Sequence, residues 1–361
     1  MSKSDEQRVA NGLDPDVRVV VVGATGAVGR EALALLEARG HPREHVVAVA
    51  SERSAGSRMP YGGGDREVRS IAQLDELVQA DVLVLLAVSA DLARELAPRL
   101  AAVGARVVDN SSAFRSDPDV PLVVPEVNAS ALNSDARLVA NPNCSTILML
   151  VALEPLRRSF GVERVVISTY QAVSGAGQAA MDELRDQTRD VLEGKPAEPR
   201  VFPEPCAFNA FPHESTLDPA TGMNEEERKL IRESRRVWAD AEARIVPTCV
   251  RVPVLRTHCQ SLLVTLAEPA SEADVRTALA TGEGLELLDD RVQGRFPTSL
   301  RAAQRDPIQV GRLRPAPDEP LDDRGRARSF CLWLAGDQLR KGAALNALQI
   351  GERLMQRVSA G

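Results

Sequence analysis

The chain has 361 residues, 44% of them apolar and 26% charged, with a formal net charge of −7. That length suits two domains, each large enough to bury a core, and the acidic balance excludes a general nucleic-acid or membrane-surface binder, which needs excess positive charge. No apolar run reaches the roughly 18 to 20 residues of a membrane helix. The first sixteen residues, MSKSDEQRVANGLDPD, lack the apolar core of a signal peptide and read as a cytosolic extension. Residues 17–22, VRVVVV, form a continuous β-branched run, the pattern of a strand buried on both faces of a parallel sheet. It leads directly into GATGAVGREALALLEARG, a glycine-rich turn followed by apolar positions at helical spacing.

Residues 45–51, 81–88 and 105–112 predict further strands, with a crossover helix over 91–104. This alternation builds a doubly wound parallel sheet of Rossmann type, placed over 17–143 and completed by an amphipathic C-terminal helix within 340–361. After residue 144 the pattern changes. A long helix over 145–159, a strand in ERVVISTYQ, a proline-rich stretch, a charged helix from Glu225 and strands in RIVPTCVRVPV and CQSLLVTLAEP predict a second, α+β domain over 144–339. The charged, proline-rich segment 314–329 reads as a loop or hairpin tip.

The turn Gly23, Thr25, Gly26, Ala27, Val28, Gly29 fits a dinucleotide cradle. The glycines let backbone approach a diphosphate, and the following helix offers free N–H groups and its positive end. Its Gly-x-x-Gly-x-x-Gly spacing departs from the commonest fingerprint, and a tight packing turn with no ligand is the alternative. About twenty residues on, Glu52 speaks for the ribose hydroxyl of NAD, whereas Ser51, Arg53 and Ser54 speak for the extra phosphate of NADP. One arginine and two hydroxyls suit a dianion, so NADP is the expected cofactor.

The stretch NPNCSTILML puts Cys144 at the start of the long helix, where unpaired N–H groups and the dipole favour an anionic sulfur. A nucleophile and a buried apolar filler both fit that context. A nucleophile needs a base, and His258, in RVPVLRTHCQ, is the best placed of the four histidines. The five cysteines are scattered with no Cys-x-x-Cys pair, so reduced thiols and no metal site are expected.

GATGAVG, ASERSAG, DNSSAFR, VVPEVN, NPNCST, TYQAVSGAG, EEERK, TCVRVPVLRTH, DPIQVGRLRP and LRKGAALNALQI occur together in one order. In these motifs the chain resembles the aspartate-β-semialdehyde dehydrogenases from residue 17 to its C-terminus. The resemblance implies reversible, NADP-linked interconversion of aspartyl phosphate with aspartate semialdehyde and phosphate. It also implies a cytoplasmic homodimer or homotetramer and the biosynthetic branch toward diaminopimelate, lysine, threonine and methionine. By that match Cys144 attacks the acyl phosphate, His258 moves protons with an ordinary pKa near 6.5, and Gln171 orients the intermediate. Arg251 forks onto the substrate α-carboxylate and Glu226 meets its α-amino group. Lys229 and Arg115, with Asn110 nearby, hold the phosphate.

Each of these residues also has a purely structural reading. Glu226 and Lys229, three apart on a helix, fit a solvated ion pair, Asn224 and Glu227 a capping box, and Gln171 a loop amide bonded to backbone. The chain also departs from the family pattern at Ala87-Val88-Ser89-Ala90-Asp91, where that family has Ser-Ala-Gly-Gly, and at Gln338, where it has Asn. Ser89 and Gln338 are expected beside the cofactor. Two other activities remain open: reduction of another acyl phosphate of the N-acetylglutamyl type, and a catalytically silent nucleotide-binding paralogue.

Overall fold

In a computed structural model, residues 12–133 and 135–359 are described. Residues 1–11, most of the expected N-terminal extension, and the last two residues of the expected terminal helix lie outside them. The chain forms two compact units: one runs to Pro142 and takes in the segment from Ala343, and the other is Asn143–Gly342.

The first unit holds strands β1 (Val19–Val22), β2 (Val46–Ala50), β3 (Arg58–Tyr61), β4 (Gly64–Glu67), β5 (Arg69–Ser70), β6 (Leu83–Leu86), β7 (Arg106–Asp109) and β8 (Leu138–Ala140). Six of them form a parallel sheet in the order β5-β2-β1-β6-β7-β8. The valines of β1 do not alternate with polar residues because both faces are covered. Leu33 and Leu36 of the helix Ala27–Ala38, with Leu348 and Leu354 of the helix Leu345–Ser359, pack one face. Leu96, Ala97 and Leu100 of the helix Ala90–Ala102 pack the other. The strand order turns back between β1 and β6, so the crevice for a ligand opens at their carboxyl ends.

The antiparallel pair β3–β4 went unrecognised in the sequence. Its two-residue turn is Gly62-Gly63, with φ of +62° and +73°, as a hairpin turn of this hand requires. The expected terminal helix also starts later than its pattern suggested: residues Arg340–Ala344 form one π turn, and the α-helix is Leu345–Ser359.

The second unit holds β9 (Val162–Gln171), β10 (Phe211–Pro212), β11 (Arg244–Arg251), β12 (His258–Ala270), β13 (Leu285–Leu287), β14 (Ile308–Pro315) and β15 (Ala327–Gly336) in a mixed sheet ordered β10-β11-β9-β12-β15-β14-β13. The proline-rich segment links antiparallel β14 and β15, a hairpin as expected. The helix Cys144–Phe160 lies in this unit and is buried on nearly all sides. Gly336 admits its Leu148, since a Cβ at Gly336 would fall 2.5 Å from Leu148 Cδ2.

Pairing in this sheet places the residues of interest. β11 runs parallel to β9, with Arg251 opposite Gln171 at their carboxyl ends. β12 runs antiparallel to β9, so its first residue, His258, begins beside that same end. Three residues separated by up to 87 positions meet at one sheet edge because two strands finish where a third starts.

Candidate active site

Cys144 opens its helix, and the preceding Asn143 caps it. Asn143 Oδ1 accepts from the backbone N–H of Ser145 at 2.9 Å and of Thr146 at 3.2 Å, a cap that contributes about 1 kcal/mol. Asn143 Nδ2 donates to Glu226 Oε1 at 2.8 Å, and Asn143 N–H donates to Glu233 Oε2 at 2.6 Å. The start of the Cys144 helix is therefore braced from the helix Glu225–Trp238 through buried carboxylates. Asn143 was not picked out in the sequence, although an Asn directly before a helix is the ordinary signature of such a cap. The Cys144 thiol is half-buried.

Glu226 is buried, 4% exposed, so the solvated-pair reading fails for it. Its Oε1 also accepts from Gln171 Nε2 at 3.2 Å, and Lys229 Nζ lies 3.4 Å from Oε2. Burial alone would raise its carboxyl, but the Lys229 ammonium and the Asn143 and Gln171 amides hold it below the usual carboxylate range. It is an anion in a dry setting, lined by donors on one side. Asn224 and Glu227 form the capping box, both halves present.

Arg251 is 2% exposed. Its Nε and Nη2 donate to Glu214 Oε2 at 3.1 Å and Oε1 at 2.6 Å, and Nη1 donates to Ala172 O at 2.7 Å. Nη2 also lies 2.9 Å from His213 Nε2, which must accept because a guanidinium only donates. The Phe202 ring covers one face of the guanidinium, 5.1 Å from its carbon. His213 and Glu214 lie in the irregular connection after β10, where no periodicity marks a functional side chain.

His258 is fully buried. Its Nδ1 accepts the Ala172 N–H at 3.0 Å, which puts the proton of the neutral ring on Nε2, and Nε2 has no partner. A Cβ at Gly175 would sit 3.5 Å from Nε2 and 3.7 Å from Arg251 Nη1, so glycine there leaves that ring edge clear. The expected ordinary pKa near 6.5 is wrong for this histidine: burial, with the Arg251 charge, lowers it to about 3.

The ring is thus neutral when folded and takes a proton below 6.5 when unfolded. Between those values the unfolded chain binds more protons, so stability is complete above pH 6.5 and is lost as pH falls toward 3. Urea midpoints measured from pH 8 to 5 are expected to fall less steeply in His258→Asn than in the parent.

The residue before it is strained. Thr257 has φ of +82°, a conformation a β-branched residue rarely adopts. Gln338 Oε1 holds its N–H at 2.8 Å, while Gln338 Nε2 donates to Ser174 Oγ. Arg256 Nε donates to Asp337 Oδ2 at 2.6 Å. Gln338, expected beside the cofactor, has both ends of its amide engaged in fixing the turn that presents His258. A Cβ at Gly342 would fall 2.9 Å from Cys144 Cβ and 3.2 Å from Gln338 Cβ, so the glycine lets the helix tip and this clamp pack closely.

In the first unit, Gly23 has φ of +83°, and a Cβ there would lie 2.2 Å from Ala87 O, while one at Gly29 would lie 2.2 Å from Gly23 O. Gly26 is exposed, no side chain caps the helix at Ala27, and Ala27 and Val28 are half-buried in its first turn. The Thr25 carbonyl accepts from Arg30 Nε at 2.9 Å. Ser51, Glu52 and Arg53 are exposed and Ser54 half-exposed on a turn after β2. Ser89 caps the helix Ala90–Ala102, and Asp91 pairs with Arg94 at the surface. An uncapped helix start at a glycine-only turn, on the crevice side of the sheet, fits a dinucleotide diphosphate.

Arg115 is buried and donates through Nη2 to Asn110 O at 2.8 Å. Asn110 Nδ2 donates to Leu86 O, while its Oδ1 is buried without a partner. That open atom accepts, so it suits a donor group better than a phosphate oxygen. Among the described residues no group of three His, Cys, Asp or Glu is arranged to hold a metal, and no helix is long and apolar enough to cross a membrane.

Two family models match the chain: the semialdehyde dehydrogenase NAD-binding domain over residues 18–135 and the semialdehyde dehydrogenase dimerisation domain over 153–341. The aspartate-semialdehyde dehydrogenase of Synechocystis sp. is 42% identical over 94% of this chain and 98% of its own length. That of Aquifex aeolicus is 40% identical over 94% and 98%. Among solved structures, aspartate semialdehyde dehydrogenase II of Vibrio cholerae, complexed with ASA, superposes with a TM-score of 0.87 at 38% identity, covering 94% of this chain and 98% of that one.

Proposed function

Because the chain belongs to the aspartate-semialdehyde dehydrogenase family, we propose that it interconverts L-aspartyl 4-phosphate with L-aspartate 4-semialdehyde and phosphate through a thioester on Cys144. It is an oxidoreductase that uses a nicotinamide nucleotide, bound by the first unit. The observation that carries the residue assignments is the buried brace in which Asn143 ties the Cys144 helix to Glu226, whose same oxygen also accepts from Gln171.

Cys144 sulfur attacks the acyl carbon, the carbon–oxygen bond to phosphate breaks, and the thioester remains on the helix tip. When bound, the nucleotide supplies the hydride. His258, with its proton on Nε2, donates to the carbonyl oxygen as negative charge develops there, Gln171 keeps the acyl group in register, and the carbon–sulfur bond then breaks to release the aldehyde and return the Cys144 thiolate. Arg251 takes the α-carboxylate and Glu226 the α-ammonium, while Lys229 and Arg115 supply cations for phosphate. An acylated amine has no charge for Glu226 to meet, which disfavours the N-acetylglutamyl type.

Gly23, Thr25, Gly26, Ala27, Val28 and Gly29 carry the diphosphate in this reading, and Ser51, Arg53 and Ser54 select NADP. Loss of one charge-assisted contact to the 2′-phosphate is worth about tenfold or more. Arg53→Ala is therefore expected to lower kcat/KM with NADPH by that factor and leave NADH unchanged, in parallel assays of both cofactors. A dimerisation domain implies self-association. We take the homodimer, in a cytoplasm that keeps its five thiols reduced, as the working form.

A further inference from the structure

Arg251 is not open to a ligand as it stands. Four of its five N–H donors are engaged, and the Nε–Nη2 edge, the one that forks onto a carboxylate, holds both oxygens of Glu214. The two partners differ in freedom. Arg251 is sealed at 2% side-chain exposure and covered by Phe202, whereas Glu214 is 18% exposed and sits on an irregular connection between β10 and the helix Glu225–Trp238. Burial would raise the Glu214 carboxyl, but the hydrogen bonds and charge of Arg251 hold it below the usual range, so it remains an anion.

We propose that Glu214 is a resident carboxylate that fills the fork of Arg251 in the free enzyme and swings away when the substrate α-carboxylate takes its place. The inference rests on the reading of Arg251 as the α-carboxylate ligand. A buried guanidinium without a partner would be strongly unfavourable, and Glu214 keeps it neutralised between turnovers. Substrate binding then exchanges one carboxylate for another, so the fork alone gives little net affinity. A ligand must also bring a cation for Glu226, and simple carboxylates are excluded although they match the arginine. Glu214 in this way makes the pocket selective for an amino acid.

The experiment compares the parent with Glu214→Ala, Glu214→Gln and Arg251→Lys, measuring KM for aspartate semialdehyde and competitive inhibition by acetate. Removing the competitor is expected to lower KM in Glu214→Ala more than it changes kcat, and to lower the acetate inhibition constant about tenfold, the scale of one charge-assisted bond. Glu214→Gln, which keeps the shape and loses the charge, is expected to move both values the same way by less. A raised KM in Glu214→Ala that Glu214→Gln restores would make Glu214 an orienting residue and overturn the gate, and unmoved values in both variants would also overturn it. Arg251→Lys checks the premise separately: an unchanged KM there removes the α-carboxylate assignment itself. If Glu214→Ala fails to fold, the direction of the KM change in Glu214→Gln decides.

Discussion

Cys144→Ser is expected to lower kcat at least about 10³-fold, because a serine hydroxyl is almost wholly un-ionised at neutral pH and nothing else in the site replaces a thiolate nucleophile. The fold should survive. The helix is capped by Asn143 and not by residue 144, and serine keeps the Cβ that packs against Gly342. Unchanged thermal melting beside the lost turnover would localise the effect to the sulfur. Three of the other four thiols give an internal control, and the fourth, Cys331, lies on β15 opposite Leu263, five residues from the residue that pairs with His258. Burial pushes Cys206 up to about 11 and Cys259 up to about 12, and it raises Cys249 further still. An acyl adduct trapped by acid quench should therefore map to the peptide carrying Cys144. Activity of Cys144→Ser within tenfold of the parent would end the covalent mechanism.

Much of this architecture was readable without coordinates, for reasons particular to each element. The β-branched run at 19–22 and the glycines after it declare a doubly covered strand and a turn that excludes side chains. Both properties belong to a few neighbouring residues, and both appear in the structure. The helix after Asn143 was legible in the same local way. Gln171, Arg251 and His258 were legible only as members of short motifs. Their meeting depends on β11 running parallel and β12 antiparallel to β9, pairings that no local pattern encodes.

Three features were invisible. His213 and Glu214 lie in a connection without periodicity, yet Glu214 neutralises Arg251 and His213 accepts one of its N–H groups. Thr257 takes a backbone conformation against its own preference because Gln338, 81 residues away, holds its N–H. His258 loses its ordinary basicity through burial by many distant residues, and sequence alone gives it the free imidazole value. That last difference changes the chemistry. A ring whose Nδ1 accepts a backbone N–H carries its proton on Nε2 as a donor, so in the proposed mechanism its first task is to stabilise charge on oxygen rather than to remove a proton from sulfur.

Glu226→Gln carries the second large effect, because that carboxylate braces the helix start and, in the proposed mechanism, also meets the substrate ammonium. One oxygen takes donors from Asn143 and Gln171, and the other faces the Lys229 ammonium. A glutamine has one oxygen and one amide nitrogen. Whichever way it turns, its NH₂ meets either two amide donors or an ammonium, and one side of the brace is lost. Hydrogen bonds to a buried charge are worth about 1.5–3 kcal/mol each, so kcat/KM for aspartate semialdehyde is expected to fall about 10²-fold or more.

Part of that loss is mechanical, through Asn143 and the tip of the Cys144 helix, and part is the missing counter-charge for the α-ammonium. The two are separable with 4-oxobutanoate, which has the same aldehyde and carboxylate but no amine. A purely mechanical effect lowers kcat/KM for both aldehydes by one factor and preserves their ratio. A lost ammonium contact lowers the value for aspartate semialdehyde much further and brings the ratio toward one. A preserved ratio would withdraw the amine from Glu226 and leave that residue as a brace for the cysteine alone.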